Sequence, residues 1–346
     1  MKFLHTADLH LKRGEENRIS VLKWLIDKAD TLKSDYFIIA GDLFDSDTDA
    51  ALLRPKLKKL FESARTQFLV IPGNHDAKSF SHDYDYGSNV MQLVTTPFEI
   101  CECRGINVCA IPYQDKKFSE CIKELPPEVD ILIAHGTLYD ESFIYTILDD
   151  EETKYMPIFP ANLENRARYV ALGHLHSKCI DKQYKKTRTV YPGSPIAVDT
   201  KCNQERLFSL VTIDKKQFTV DFIAVEDSPY WLSKEFFVFP GSEEQKLREL
   251  ASFLVSVDKA IVMPNVIING YIAQKDREFQ QHINELEQKF KPKFADLHIS
   301  NNVQSWDTII EDRLVQNFVK KTQNLDDALR RKIHEIVFPI FSDALK

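Results

Sequence analysis

Five short apolar runs in the first 180 residues each break off into aspartate, asparagine or histidine. Residues 2–6 lead into Asp8-Leu9-His10, 36–40 into Gly41-Asp42, and 68–71 into Pro72-Gly73-Asn74-His75-Asp76. Residues 131–134 lead into His135-Gly136, and 169–172 into Gly173-His174-Leu175-His176. Runs this short, rich in Ile, Val, Phe and Tyr, read as buried strands. Helical periodicity fits residues 19–32 and 52–64 between them. Strands alternating with helices predict an α/β domain, and such domains bind ligands beyond the carboxyl ends of their strands. The pattern points to one site assembled from five strand ends.

The chain holds only ten glycines, and Gly41, Gly73, Gly136 and Gly173 all adjoin these polar residues. Glycine allows the tight turns and close backbone approach that clustered ligands need. Imidazoles, aspartates and an amide carbonyl make a mixed nitrogen and oxygen donor set. It suits Mn, Fe, Zn or Co better than the all-oxygen shells of Ca and Mg. None of the six cysteines falls in the motifs, which disfavours a thiolate zinc site. Asp8-x-His10 and His174-x-His176 put both side chains on one side of an extended segment. More donors converge than one ion can use, so two cations sharing a carboxylate is the simplest reading. A pair about 3.5–4 Å apart can activate water and clamp both oxygens of an in-line phosphoryl displacement.

With 346 residues, 43% of them hydrophobic and 28% charged, the chain can bury a large core and favours two domains. No apolar run approaches the ~20 residues of a membrane span, and the opening MKFLHTADLHLKRG lacks a signal-peptide core. A cytoplasmic protein with reduced thiols is expected. The net charge of −7 argues against coating nucleic acid by bulk charge, but bound cations can supply a local positive field. The sequence turns strand-rich over 187–225, with YPGSP at 191–195 as a turn, and Pro229 with FVFPG at 237–241 predicts a linker. A helix over 243–257, a strand over 266–273, a helix over 276–290 and a strand over 296–300 then predict a small α/β domain. Helices over 306–321 and 325–345 close the chain, with Asn324 placed to cap the second and Pro339 to kink or end it. His5, inside a strand, is expected to pack in the core.

The motifs D-x-H, G-D, G-N-H-D, H and G-H-x-H, in this order, resemble those of the calcineurin-like metallophosphoesterases. Among these, MKFLHTADLHL, IIAGDLFDSD, VIPGNHD, ALGHLH and YPGSP are similar to the SbcD-type DNA repair exonucleases, nuclease subunits that work with SbcC-type ATPases. The likeness rests on motifs over residues 1–200 and on layout alone beyond. It implies an α/β fold: a β-sandwich flanked by helices over 1–228, a smaller α/β capping domain over 229–303, and a C-terminal helical segment over 304–346. It also implies two divalent transition-metal ions, manganese foremost, with Fe, Zn or Co as alternatives. One would bind Asp8, His10, Asp42 and His176, the other Asp42, Asn74, His135 and His174. His75 is then the non-ligand histidine that acts on the phosphate or leaving group, and Asp76 is expected to orient it.

The implied activity is a metal-dependent DNA nuclease, exonuclease at ends and endonuclease on single strands. Expected partners are DNA, an SbcC-type ATPase docked by the C-terminal helices, and a second copy of the chain, with no membrane. Lys12 and Arg13 after His10, and Lys178, Lys185, Lys186 and Arg188 after His176, are the candidate phosphate contacts. Three positions depart from the family pattern. Asp45 stands where archaeal and eukaryotic relatives often carry histidine, Lys12-Arg13-Gly14 lengthens a loop that is usually leucine-glycine, and Glu205-Arg206-Leu207-Phe208 replaces a glycine and lysine. The competing enzyme reading is a phosphodiesterase or phosphatase for nucleotides or other small esters. A phosphoprotein phosphatase is disfavoured, since residues 41–47 lack that group's arginine, and a degenerate scaffold is disfavoured because every ligand position is intact.

Overall fold

Side chains alternate along β1 (Lys2–Thr6) and β2 (Tyr36–Ala40), and both faces of each strand are buried. Leu4, Phe37 and Ile39 join one core cluster, while Phe3, Tyr36, Ile38 and Ala40 join another. The computed structural model describes all residues except 127–128, 143–154, 215–217, 258–261, 273–276 and 345–346. It divides into two units, Met1–Ser228 and Pro229–Lys346.

In the first unit, β1 and β2 share a sheet with β3 (Gln67–Ile71), β4 (Val90–Gln92), β11 (Leu207–Ile213) and β12 (Phe218–Ala224), in the order β12-β11-β1-β2-β3-β4. A second sheet holds β5 (Glu99–Cys103), β6 (Ile106–Ile111), β7 (Val129–His135), β8 (Ala167–Gly173), β9 (Ile180–Tyr184) and β10 (Thr187–Tyr191), in the order β5-β6-β7-β8-β10-β9. Between the sheets Phe3, Ile38, Leu69 and Ile71 meet Val108, Ile131, Ile133 and Tyr169. Burying each such Ile or Phe stabilises the fold by roughly 1.5–3 kcal/mol. The outer face of the first sheet is covered by α1 (Glu16–Thr31) and α2 (Asp47–Glu62), through Leu22, Leu25, Leu57 and Phe61. The short helices α3 (Phe118–Cys121) and α4 (Pro160–Leu163) pack on the outer face of the second sheet. The result is a β-sandwich flanked by helices. Because β1, β2 and β3 run parallel, as do β7 and β8, each sheet sends its ligand-bearing strand ends to one edge.

The second unit has its own parallel sheet: β13 (Tyr230–Val238), β14 (Val262–Ile272), β15 (His298–Asn301) and β16 (Gln304–Ser305). Helices α5 (Glu243–Ser256) and α6 (Arg277–Phe290) connect its strands. Helices α7 (Asp307–Ile310), α8 (Arg313–Thr322) and α9 (Asp327–Ala344) follow. Ile309, Val315, Phe338 and Phe341 pack with Phe239 and Tyr271 in one cluster.

Several expected boundaries move for identifiable reasons. Residues 230–238 pair in register with β14, so most of the expected linker is strand. The helix expected over 306–321 breaks at Asp312, whose carboxylate accepts the N–H of Leu314 at 2.7 Å and of Val315 at 3.2 Å and so starts a new helix. Asp326, not Asn324, serves α9, accepting the Leu329 N–H at 2.9 Å. Pro339 sits within α9 without ending it. The expected ends at Ala273, Asp276 and Leu345 lie outside the described residues. All six cysteines are unpaired, and among the described residues no helix is long and apolar enough to cross a membrane.

His5 is fully buried between the sheets, its Nδ1 2.8 Å from the Tyr169 hydroxyl and its Nε2 without a partner. Burial pulls its pKa down from 6.5 to about 3. Below pH 6.5 the unfolded chain therefore takes up a proton that the folded chain refuses. This contribution to stability is whole above that pH and drains away as the pH falls towards 3. At roughly 1.4 kcal/mol per pH unit, the loss reaches about 3 kcal/mol by about pH 4.5. In urea unfolding, the stability of wild type relative to His5→Gln should fall by about that much between neutral pH and 4.5. A constant difference would contradict the buried neutral imidazole.

Candidate metal centre

The loops after β1 and β2 are built together. Asp8, His10 and Asp42 have positive φ angles of 57°, 45° and 49°, and His174 after β8 has 112°. Side chains held in this region cost on the order of 1–3 kcal/mol each, so the surroundings must impose it. They do so with backbone bonds between the loops: the N–H groups of Asp8, His10 and Leu11 donate to the carbonyls of Gly41, Asp42 and Leu43 at 3.1, 3.0 and 2.8 Å. Two glycines leave space for the ligands. At Gly41, with φ of 91°, a Cβ would lie 2.2 Å from His135 Nδ1; at Gly73 it would lie 2.1 Å from Asp42 Oδ1.

Two donor groups share Asp42. Asp8, His10, Asp42 and His176 form one, and Asp42, His135 and His174 the other, each with ligand atoms within 4.8 Å of one another. Asn74 joins the second, its Oδ1 2.9 Å from His135 Nε2 and 3.0 Å from His174 Nδ1. Contacts behind the rings set their tautomers. His135 Nδ1 lies 2.9 Å from the Ala40 carbonyl, which only accepts, so Nδ1 carries a proton and Nε2 is the atom turned to the Asn74 oxygen and Asp42. His10 Nδ1 faces Asp45 at 3.5 Å and His176 Nδ1 faces Asp199 at 3.9 Å, while their Nε2 atoms stand 3.1 Å apart.

Asp42 Oδ1 accepts the His75 N–H at 2.9 Å. Among the described residues its buried Oδ2 accepts no well-aligned hydrogen bond, and its polar neighbours are His135 Nε2 at 3.3 Å, an ion-pair contact, and His10 Nε2 at 3.8 Å. Burial opposes ionisation of Asp42, yet His135, His10 and His75 hold its carboxyl well below the usual range. Burial likewise opposes charge on His135, but Asp42 and Asp8 push its pKa up to about 9. Burial raises Asp8 and lowers His10. Imidazole nitrogens of His10 and His176 facing each other at 3.1 Å and a buried carboxylate oxygen short of hydrogen bonds call for positive charge at shared points. The residues fit a pair of divalent cations, one held by Asp8, His10, Asp42 and His176, the other by Asp42, Asn74, His135 and His174.

Around this centre the structure sorts the remaining candidates. His75 is exposed at the rim, its ring edge-on to His10 at 4.7 Å. Asp76 does not orient it. That carboxylate is fully buried and accepts the Gly73 N–H at 2.7 Å and the Phe44 N–H at 3.1 Å, tying the two loops together. Burial, then the charge of Asp42, pushes its pKa up to about 7. Asp45 takes the expected role instead, its carbonyl 3.2 Å from His75 Nδ1. Lys12 and Arg13 are exposed in the loop after His10, but Lys12 is paired with Asp45 at 3.1 Å. Lys178 lies in the loop after His176, beside Gly193. Lys185, Lys186 and Arg188 correct the expected phosphate track. Arg188 pairs with Tyr169 in the parallel β10–β8 register, so the β9–β10 turn sits by the start of β8, at the end of the sheet away from His174. There Lys185 pairs with Glu164, and Arg188 grips Asp181 at 3.0 and 2.8 Å. Sequence reasoning missed Asp199, Ser194 and Arg206 behind the ligands; none stands in a metal motif, and only the strand-to-loop register brings them in.

The model of the calcineurin-like phosphoesterase family matches residues 1–178. Solved structures with likeness to the chain include a novel archaeal phosphodiesterase, 13% identical, with a TM-score of 0.37, covering 64% of this chain and 100% of its own. GAP50 of Plasmodium, described as the anchor in the inner membrane complex, is 11% identical with a TM-score of 0.41, covering 65% and 85%. Vps29 from Entamoeba histolytica, complexed with Zn²⁺, is 15% identical with a TM-score of 0.31, covering 65% and 100%. Likenesses this distant carry no argument about activity. The family match spans more than half of the chain and takes in every residue of both donor groups, and the chain belongs to the calcineurin-like phosphoesterases.

Proposed function

We propose that this chain is a metal-dependent DNA nuclease, acting as exonuclease on ends and endonuclease on single strands, in cytoplasmic DNA repair with an SbcC-type ATPase. The observation that carries the phosphodiester chemistry is the shared Asp42 with its unbonded Oδ2 beneath an exposed His75. Asp8, His10, Asp42 and His176, and Asp42, Asn74, His135 and His174, would each hold a divalent ion whose charge would polarise phosphoryl oxygens and acidify the attacking water. His75 donates Nδ1–H to the Asp45 carbonyl, which turns Nε2 to the substrate; from the doubly protonated ring Nε2–H passes its proton to the leaving oxygen and leaves a neutral imidazole. Asp8 is fixed by the His174 N–H, which approaches its two oxygens at 2.9 and 3.0 Å, so one strand end braces the ligand of another. A nucleic-acid substrate is favoured by Tyr155, which lies exposed with its ring 5.6 Å from that of His174. A flat ring beside a phosphate site suits a nucleobase.

Support for the ATPase partner comes from the second unit. Phe338 and Phe341 of α9 face its core, whereas Ile336 and Ile340 are 68% and 61% exposed, and Leu314 of α8 is 63% exposed. A second apolar stripe on α9 thus remains for a partner to bury. Cutting the chain near Ser300 would strip the cover from Phe239 and Tyr271, so single surface substitutions test docking more cleanly than truncation.

Four measurements follow. His75→Ala should lower cleavage of labelled DNA by about 10²–10⁴ while metal analysis still finds both ions; near-normal turnover would remove His75 from the mechanism. Chelation should abolish activity, and Mn²⁺ should restore it better than Mg²⁺, which prefers oxygen ligands to four imidazoles. Cleavage of bis-p-nitrophenyl phosphate without cleavage of single- or double-stranded DNA would instead identify a small-ester phosphodiesterase. Ile336→Asp with Ile340→Asp should leave Mn²⁺-dependent cleavage of single strands intact and abolish co-purification with the ATPase. Undiminished co-purification would refute docking and spare the nuclease assignment.

A further inference from the structure

Arg206 is among the largest fully buried side chains of the described residues. Its guanidinium is spent on main-chain carbonyls. Nε donates to Gln204 at 2.8 Å, Nη2 to Ser177 at 2.8 Å, and Nη1 to His176 at 3.1 Å and Ser194 at 3.4 Å. Three separate loops therefore meet on one planar fork, which only arginine supplies. Burial pulls the guanidinium below its ordinary pKa, and the nearby Asp199 charge opposes that. Merely filling the space would not require a charge, since an apolar side chain avoids its desolvation.

What distinguishes these carbonyls is where they lie. The His176 carbonyl also accepts the Ser194 N–H at 3.1 Å and faces Cys202 Sγ at 3.7 Å, so the backbone of this metal ligand is gripped from several sides. Ser194 Oγ stands 2.7 Å from the Asp8 carbonyl and carries the same clamp to a second ligand. The other donor group is held by different means: Ala40 behind His135, and the Asp42 and Asp76 loops around Asn74. We infer that Arg206 is a positioning residue for one metal ion of the pair, fixing His176 directly and Asp8 through Ser194, and that it acts little on the ion held by Asn74, His135 and His174. The inference rests on the metal pair assigned above, though not on DNA as the substrate.

Mn²⁺ binding to the metal-stripped full-length protein tests this, with free Mn²⁺ counted by its paramagnetic resonance. Arg206→Met is placed in two backgrounds, His135→Ala, which keeps the first site, and His10→Ala, which keeps the second. In His135→Ala, Arg206→Met should weaken the remaining ion by about 10- to 100-fold, the usual effect of losing a residue that orients a ligand. In His10→Ala the same change should shift binding by less than about threefold. Arg206→Lys should fall between Met and wild type in the first background, because an ammonium keeps the charge without the fork. Equal weakening in both backgrounds, or a fall in melting temperature with unchanged affinity in both, overturns the proposal. Should Arg206→Met fail to fold by circular dichroism, Arg206→Lys and Ser194→Ala are read by the same criterion. A wild-type protein that binds no Mn²⁺ refutes the metal pair itself, a result that none of these variants mimics.

Discussion

A carboxylate oxygen buried without a hydrogen bond loses its hydration and gains nothing in return, and folds avoid such atoms unless a cation completes them. Asp42 Oδ2 is one, placed where the ends of both sheets converge. Its partner oxygen takes the His75 N–H, and its main-chain carbonyl takes the His10 N–H, so one residue ties the ends of β1, β2 and β3 together. Both donor groups include it. The pull of its charge on His135, whose imidazole would otherwise lose its proton on burial, shows how strongly the point favours positive charge.

From that constraint the local backbone follows. A carboxylate shared by two ions must be reached from five strand ends within a few ångströms, and extended backbone cannot turn that quickly. Asp8, His10, Asp42 and His174 accept left-handed conformations, and ladder-like bonds from Asp8 to Gly41 and from Leu11 to Leu43 hold them there. Gly41 and Gly73 are glycine because His135 and Asp42 already occupy the space of a Cβ. Rigidity arrives from behind each ligand: Ala40 behind His135, Asp45 behind His10, Asp199 near His176, and Asp76 between two loops. Strain at the centre is thus held by polar contacts that never reach the substrate.

The cluster of donor side chains was legible in the sequence because five strand ends, each followed by Asp, Asn or His and most with glycine beside them, converge on one edge only where a polar site is built. Their supports were not. Asp76 sits next to His75 in the chain and looked like its partner, but on a tight turn adjacent side chains point apart, and Asp76 turned inward to two backbone N–H groups. Asp45 and Asp199 bear on ligands far from them in sequence, which no spacing rule predicts. The basic hairpin misled for a topological reason: residues 178–188 follow His176 directly, yet β9 runs antiparallel to β10 and carries the turn to the opposite end of the sheet. In the second unit, helices were legible by period, while their breaks depended on which aspartate capped, as at Asp312 and Asp326.

The placement of charge bears on how a chain of net charge −7 could hold the polyanion proposed as its substrate. Lys12 is committed to Asp45, Lys185 to Glu164 and Arg188 to Asp181, and the last two pairs stand far from the strand ends. Exposed pairs of this kind leave little net field over the site. Attraction for phosphate then has to come mainly from cations at the donor groups themselves, each divalent and partly shielded from water by the surrounding core. Substrate binding and catalysis would therefore share one cause, the occupancy of a centre organised by Asp42. The side chains that matter most after the ligands are those that keep the ligands still, which is why a buried arginine gripping the His176 carbonyl bears more on the site than the lysines outside it.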